Sequence, residues 1–344
     1  MNFRTIPDPQ IHNSSLYQFF YLSVMMPPPR LSFSGFIRTL VISFLVFNGS
    51  LFNSFAQLST FQDEEGVISP TFRHDILREK KIASILIQDE VKPDGKKIHD
   101  DGIIQYYRFD TATRLTESYY TIKTESNAWD TIRTRYYYNG NNQPVTKRTN
   151  QGVFFDTWYY TWYQNGLIKK EAHVHETQAP AEGTSFYVGA QKVISCDSFA
   201  YNTYPKQIQR YGYNEENTIY EKTITQFDDH RNMIGRYSHY QVGWLYSQVD
   251  LKYDSANRLI EYTYSGNVNG EVHKTTRILY DKSGNISSEK IFEKEKQTHE
   301  VEFIYDNNTG LISDKLDRDY DKGLIEIRKF TYTFFDTDII LDSQ

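Results

Sequence analysis

Apolar and polar residues alternate with a period of two through most of the chain after residue 105. In residues 248–253, Val249, Leu251 and Tyr253 share one face and polar residues occupy the other, and residues 301–305 repeat the pattern. This period is typical of a half-buried β-strand. No long segment repeats apolar residues at the three- and four-residue spacing of an amphipathic helix. The pattern therefore predicts an all-β protein.

An aromatic residue followed by a turn-like cluster recurs along the chain. The predicted anchors of this repeat are Phe109, Tyr138, Tyr163, Tyr201, Phe227, Tyr253, Tyr280, Tyr305 and Phe335. Four consecutive gaps between anchors are 25–27 residues long, and a period in this range marks a repeat architecture. Each unit has room for two strands, which predicts about sixteen strands of ordinary length.

The residues after each anchor suit a tight hairpin turn. In residues 253–259, Asp254 can accept backbone N–H bonds as an Asx turn. Asn257 can take the left-handed conformation that closes a short loop. Gly284 occupies the corresponding place in another unit, whereas Thr113 stands there in the first unit.

These motifs resemble the YD-repeat (RHS-type) family over about residues 105–340, most clearly from Tyr201 to Gly310. Residues 138–140 and 163–166 look more like the Tyr-x-Asn-Gly repeats of MORN-like proteins. The resemblance implies a long antiparallel β-meander of about eight to nine hairpins that forms a curved open sheet or shell. Larger members wrap a shell around a C-terminal toxin or attach to cell surfaces. Because this chain ends just after the last anchor, we expect no toxin domain.

Residues 1–56 have the order of a secretory signal peptide. Basic residues precede a short apolar run, 39–47, and small residues lead to a predicted cleavage site after Ala56. Met25 or Met26 would be a more natural start than the first residue. An uncleaved anchor is the alternative, but the run is shorter than a membrane span needs. We therefore expect a secreted, periplasmic or cell-surface protein with no transmembrane span after signal removal.

The remaining chain divides into a lead-in or cap, 57–104, and the hairpin-repeat domain, 105–344, with a loop insertion near 173–192. In the lead-in, Lys81–Val91 is expected to form a strand or short helix that caps the edge of the sheet.

The composition supports extensive half-buried sheet and argues against nucleic acid as a binding partner. Aromatic residues make up 16% of the chain, with 28 Tyr and 22 Phe, and tyrosine suits a surface that is apolar at the ring and wet at the hydroxyl. The net charge is −6 and there is no basic stripe, which argues against nucleic acid. A transmembrane barrel needs strands with an apolar, lipid-facing side, which the segments 287–290 and 293–297 lack. We therefore do not expect a transmembrane barrel. The single Cys196 is expected in a half-buried strand without an intramolecular disulfide.

The most distinctive binding feature is the aromatic segment 158–163. Since side chains alternate between faces, the anchor Tyr163 places the two tryptophans of this segment on the face opposite to the anchors. An arginine-rich strand, two strands earlier in the sheet, shares that face, and the two rows of side chains are expected to lie about 10 Å apart. The candidate ligand-binding residues are Trp158, Tyr160, Trp162, Arg133, Arg135 and Tyr137. We predict that they stack against sugar rings. Packing under a neighbouring segment as a small local core is the alternative.

The sequence predicts no catalytic residue, no cofactor and no metal site. It lacks the common hydrolase, phosphate-binding and metalloprotease motifs. His173 and His175 could face one ligand, but a zinc or copper site needs further donors. Residues 317–323 alternate Asp like a calcium loop, yet they lack its glycine and its glutamate at position twelve.

Together, these features predict an exported, non-enzymatic β-repeat scaffold that binds a polysaccharide or another envelope component. The alternative is a structural or protein-interaction module whose partner is an envelope protein. Such a module would act through its sheet edges, with an uncovered end strand near Phe330–Phe335 as a template for strand addition.

Overall fold

A computed structural model describes residues 72–124, 128–151, 154–178, 188–241, 243–268 and 271–335. The chain separates into two compact units, Met1–Phe52 and Asn53–Gln344, and the described residues all belong to the second. The predicted signal peptide and residues 179–187 of the loop insertion predicted near 173–192 lie outside the described residues, whereas 173–178 and 188–192 belong to two strands rather than to a loop.

One short helix and eighteen strands make up the described chain. The helix, α1, is His74–Glu79. The strands are β1 Ile82–Pro93, β2 His99–Phe109, β3 Leu115–Lys123, β4 Trp129–Tyr138, β5 Pro144–Gln151, β6 Phe154–Trp162, β7 Ile168–Gln178, β8 Val188–Tyr204, β9 Gln207–Tyr213, β10 Ile219–Phe227, β11 Met233–Tyr240, β12 Tyr246–Tyr253, β13 Leu259–Gly266, β14 Val272–Tyr280, β15 Ile286–Glu293, β16 Lys296–Tyr305, β17 Ile312–Asp319 and β18 Leu324–Phe334. The all-β prediction is confirmed. α1 is too short to cross a membrane, and no other helix is found in the described ranges.

The strands form an 18-stranded closed antiparallel barrel. Each strand pairs with the next along the chain, and β1 pairs with both β2 and β18. Ile87, for example, lies opposite Gln105 on one side and Phe330 on the other. The prediction of a curved open sheet or shell is therefore wrong. Closure gives hydrogen-bonding partners to the backbone groups that two sheet edges would leave unpaired.

The closing strand also changes the role expected of two segments. Lys81–Val91 does not cap an edge, since its residues from Ile82 onward belong to β1 in the barrel wall. The predicted uncovered strand at Phe330–Phe335 is wrong as well, because β18 pairs with β17 on one side and β1 on the other. Strand addition at that position has no free edge to use.

The two faces of the wall differ in character. We call the face that carries Ile85, Tyr136, Val249 and Val301 the tyrosine face, and the other the polar face; the strand registers connect each face around the ring. Most buried wall residues lie on the tyrosine face, where Thr276 is fully buried. Side chains converge on the concave side of a closed wall, so we infer that the tyrosine face lines the inside. A barrel of this strand number is too wide for wall side chains alone to fill.

The hairpin turns follow the predicted chemistry. In the turn after Tyr253, Oδ1 of Asp254 accepts hydrogen bonds from the backbone N–H groups of Ala256 and Arg258, both at 2.9 Å. Arg258 donates in turn to Oδ2 at 2.7 Å, and Asn257 has the left-handed φ of 64°. The predicted Asx turn is thus confirmed at this position.

An aromatic side chain at the end of one hairpin donates a hydrogen bond to the backbone of the preceding hairpin. Its donor reaches the backbone carbonyl of the first residue after the previous turn, at 2.7–2.8 Å in each case. The pairs are Tyr138 to Leu115, Trp162 to Pro144, Tyr253 to Met233, Tyr280 to Leu259, Tyr305 to Ile286 and Tyr332 to Ile312. We call this set the aromatic–carbonyl ladder. It explains why the anchor in these six hairpins is aromatic and carries a donor, whereas the anchors Phe109 and Phe227 have no donor and lie outside the ladder.

Three predicted anchors were wrong. Trp162, rather than Tyr163, pairs with the first residue of the next strand and joins the ladder. Tyr163 instead takes the place of the turn aspartate, since its N–H bonds the carbonyl of Leu167. Tyr201 lies within β8. At the end of the barrel Tyr332 is the anchor and Phe335 is not.

The hydrophobic core is concentrated where α1 meets one end of the barrel, at the rim formed by the turns that follow the anchor residues. Ile76 and Leu77 of α1 pack with Ile82, Ile85 and Phe109. The helix thus covers the part of the tyrosine face where β1, β2 and β18 meet.

Tyr280→Phe tests the energetic weight of the ladder. We expect a loss of about 1 kcal/mol in the free energy of unfolding, because the carbonyl of Leu259 loses its donor in a partly buried place. The matched control is Tyr204→Phe, which removes a hydroxyl from a side chain that is 51% exposed. Urea denaturation of both variants checks this, and equal midpoints for the two would contradict it.

The ladder also predicts a dependence of stability on alkaline pH. Burial raises the pKa of Tyr280 to about 12 against the opposing effect of Arg258, whereas an unfolded tyrosine has a pKa of about 10. The folded state therefore holds the hydroxyl proton of Tyr280 more tightly than the unfolded state does. The contribution of Tyr280 to the free energy of unfolding is complete below pH 10 and is lost as the pH rises toward 12. The difference in unfolding free energy between the wild type and Tyr280→Phe should shrink over that interval. A constant difference from pH 8 to pH 11.5 would refute it.

Candidate functional site

The structure divides the predicted ligand-binding residues between the two faces of the wall. Trp158 lies opposite Lys147, and Lys147 lies opposite Tyr136, so Trp158 and Tyr160 belong to the tyrosine face. The predicted partners Arg133, Arg135 and Tyr137 lie on the polar face, one residue out of phase with Tyr136. The expectation of one shared face is wrong because Trp162, and not Tyr163, is the anchor from which alternation must be counted.

The three residues on the polar face belong to a solvated ion-pair group. Glu117 lies 3.6 Å from Nε of Arg133 and 3.5 Å from Nε of Arg135. Tyr137 is 46% exposed beside them. Exposed pairs of this kind contribute little to stability, and the wall separates them from the tryptophans.

On the tyrosine face, strands β5 to β8 bring together a polar and aromatic cluster, which we call the Trp158 patch. Its members are Lys147, Asp156, Trp158, Tyr160, Glu171, His173, His175 and Asp197. They are neighbours because their backbones stand directly opposite one another in successive strands. Only Trp158 and Tyr160 of this set were predicted as ligand-binding residues from the sequence.

The indole ring of Trp158 is flanked on both sides. The ring of His173, on β7, stacks on it with centroids 4.5 Å apart and planes 3° from parallel. From β5, Nζ of Lys147 lies 4.9 Å from the indole centroid. Since these neighbours come from opposite sides of β6, the ring presents its edge to the interior. Tyr160 is only 5% exposed and serves as packing.

Asp156 holds the two histidines that the sequence drew attention to. Its Oδ1 lies 3.2 Å from Nε2 of His173 and 3.1 Å from Nδ1 of His175, and Phe154 packs against His175. Within the described residues no group of three or more His, Cys, Asp or Glu side chains is placed to hold a metal ion. The chemistry visible here is hydrogen bonding.

Two carboxyl side chains stand next to each other beside the aromatic residues. Glu171 lies directly opposite Asp197, and Tyr160 lies opposite Glu171 on the other side. Burial raises the pKa of Glu171, and the charge of Asp197 raises it further. Burial also raises the pKa of Asp197, although Tyr220 donates a hydrogen bond to it. A carboxyl group that retains its proton can both donate and accept a hydrogen bond.

The lysine of the patch responds to the same surroundings. Burial lowers the pKa of Lys147, while the nearby charge of Glu171 opposes that shift. These directions indicate that the patch penalises charge on Lys147, Glu171 and Asp197 alike. Cross-strand neighbours of this kind depend on strand register, so no local sequence motif could have identified Glu171 and Asp197.

A second cluster on the polar face of the same strands holds them in register. Glu176 is fully buried and accepts hydrogen bonds from Thr157, Tyr159, Arg148 and Gln191 at 2.7–3.1 Å. Burial alone would raise the pKa of Glu176, but the hydrogen bonds from Thr157, Tyr159 and Arg148 keep it below its usual value. Nothing in the local sequence around Glu176 indicates this role, which depends on the pairing of strands β5 to β8.

Cys196 lies in β8 and is half-buried, as predicted.

No protein-family model matches this chain, and no curated protein matches it. Among solved structures it is similar to a porin-like protein from Bacteroides uniformis, at 11% identity and a TM-score of 0.35, covering 74% of this chain and 97% of that one. A porin-like protein from Bacteroides vulgatus gives 9% identity and a TM-score of 0.33, with 74% and 99% covered. A LolA superfamily protein from Nitrosomonas europaea gives 9% identity and a TM-score of 0.20, with 77% and 91% covered. These scores are too low to carry an argument about function.

Glu176→Gln tests whether the buried cluster stabilises this part of the wall. We expect a loss of about 3 kcal/mol in the free energy of unfolding, because the guanidinium of Arg148 would keep its partly buried place without a counter-charge. Glu261→Gln is the matched control, since Glu261 pairs with the exposed side chains of Lys252 and Arg277, and it should cost less than about 1 kcal/mol. Denaturant titration measures both, and equal losses would contradict the assignment.

Proposed function

We propose that this protein is an exported, non-enzymatic β-barrel that binds a hydroxyl-rich component of the cell envelope, such as a glycan, at the Trp158 patch. The proposal of export rests on the predicted signal peptide at 1–56. The proposal of binding rests on the side chains that the patch brings together.

One observation carries the proposal: the adjacent carboxyl groups of Glu171 and Asp197 stand beside an aromatic edge on the tyrosine face. A sugar hydroxyl both donates and accepts hydrogen bonds, and so does a carboxyl group that retains its proton. The raised pKa values of both carboxyl groups favour that form. The half-buried Trp158 supplies a ring edge for van der Waals contact with the C–H groups of a sugar ring.

The position of the patch on the wall supports a ligand that enters the barrel. The tyrosine face is the one we infer to line the interior, where the surroundings already penalise charge on Lys147. A neutral, hydroxyl-rich molecule meets that environment without bringing a charge that must be desolvated. In this role Lys147 and Asp156 orient the ring of Trp158 and the imidazole of His173.

The test is binding of the purified protein to a panel of neutral and acidic bacterial polysaccharides, measured by calorimetry at pH 5 and pH 8. Glu171→Gln keeps a donor and an acceptor and should retain binding, whereas Glu171→Ala should weaken it by about tenfold, the cost of one or two hydrogen bonds. Trp158→Ala should weaken binding by a similar factor.

Trp129→Ala is the matched control, because Trp129 is a tryptophan on the polar face that is 48% exposed. The proposal is wrong if no polysaccharide binds. It is also wrong if Trp129→Ala weakens binding as much as Trp158→Ala does, since the ligand would then lie on the polar face.

A further inference from the structure

A groove lies between α1 and the rim of the barrel, and none of its lining residues belongs to the Trp158 patch. It has a volume of about 330 Å³ and is formed by the helix together with the turns after Phe109 and Tyr138. Phe109 and Leu115 are almost completely buried and contribute, with the ring of Tyr138, to its apolar floor. Pockets that bind small molecules start at about this volume.

The polar side of the groove is basic. His74, Arg78 and Arg114 line it, and no Asp or Glu side chain does. Arg114 is held in place because its Nε donates to Asp110 at 2.7 Å and its guanidinium lies 5.1 Å from the centre of the Tyr138 ring. The Asp110 carboxylate is thereby neutralised by Arg114, so the groove keeps a positive charge from Arg78.

The side chain of Arg78 is available for a ligand. It is exposed, and within the described ranges no hydrogen bond or ion pair engages its guanidinium. A guanidinium at the rim of an apolar groove matches an anionic head group, which it can bind through two parallel hydrogen bonds.

A strained residue holds the helix across the groove. Thr113 has a left-handed φ of 63°, a conformation that is unfavourable for a β-branched residue. The equivalent places in other turns are taken by residues such as Asn142, Asn257 and Gly284. The hydroxyl of Thr113 lies 3.0 Å from Nδ1 of His74 on α1. The threonine thus links the helix to the turn and sets the width of the groove, and strain of this kind is common at functional sites.

We propose that this groove binds a small amphipathic anion, namely a carboxylate on a short alkyl or aryl body. The carboxylate lies against Arg78, and the apolar body lies on Phe109, Leu115 and Tyr138. The site is separate from the proposed glycan site in both position and ligand chemistry, so either proposal can fail without the other.

Calorimetry with three probes of equal chain length tests this: octanoate, octanol and octyltrimethylammonium, each added to the full chain below its micelle concentration. We expect octanoate to bind and the two other probes to bind at least tenfold more weakly. Arg78→Gln should weaken octanoate binding by about tenfold, which is the typical effect of losing a charged hydrogen bond. Ala112→Trp, which fills the groove from an exposed lining position, should abolish binding.

Arg231→Gln is the control, because Arg231 is also an exposed arginine but does not line the groove. Circular dichroism confirms that each variant is folded. The proposal is overturned if octanoate does not bind, if octanol binds as tightly as octanoate, or if Arg78→Gln and Arg231→Gln have equal effects.

Discussion

The bond from an aromatic donor to the carbonyl of the preceding hairpin is the interaction on which the rest of the wall depends. A hairpin alone is marginally stable in water, and backbone pairing alone does not determine which way each hairpin faces. The ladder supplies that direction, because Tyr280 can reach Leu259 only when its ring lies on the tyrosine face. Arg258 then covers the ring of Tyr280 at 4.4 Å while it closes its own turn on Asp254. Turn, ring and carbonyl are therefore parts of one linked unit.

Local features of the fold could be predicted from the sequence, whereas its closure could not. Alternation and the Asx chemistry of Asp254 depend on neighbours within a few residues, and both are visible in the chain as written. Closure depends on contacts such as that between Lys329 and Glu90, whose side chains meet at 2.8 Å across 239 residues of sequence. Nothing in either segment indicates the other. For Lys81–Val91 the sequence predicted a strand or a short helix at the edge of the sheet, but not a strand with two partners.

The candidate site shows how a small error of position changes a functional interpretation. Tyr163 looks like an anchor because tyrosine is the common residue there, yet the indole of Trp162 makes the equivalent bond. Since faces alternate, moving the anchor by one residue transfers Trp158 from the polar face to the tyrosine face. The carboxyl groups of Glu171 and Asp197 were missed for a related reason. They become neighbours only through the pairing of β7 with β8, in which the register shifts twice.

The contact between the first and last strands has a consequence for how the chain reaches its native state. Because β1 pairs with β18, the N-terminal strand lacks one neighbour until the C-terminal strand has been synthesised and, if the chain is exported, delivered. During that interval the growing sheet carries two open edges, which are sites of aggregation. Loss of the final hairpin by truncation or proteolysis would leave the same two edges exposed permanently. A chain that lacked β18 would therefore be more prone to aggregation, so assembly of the barrel depends on an intact β18.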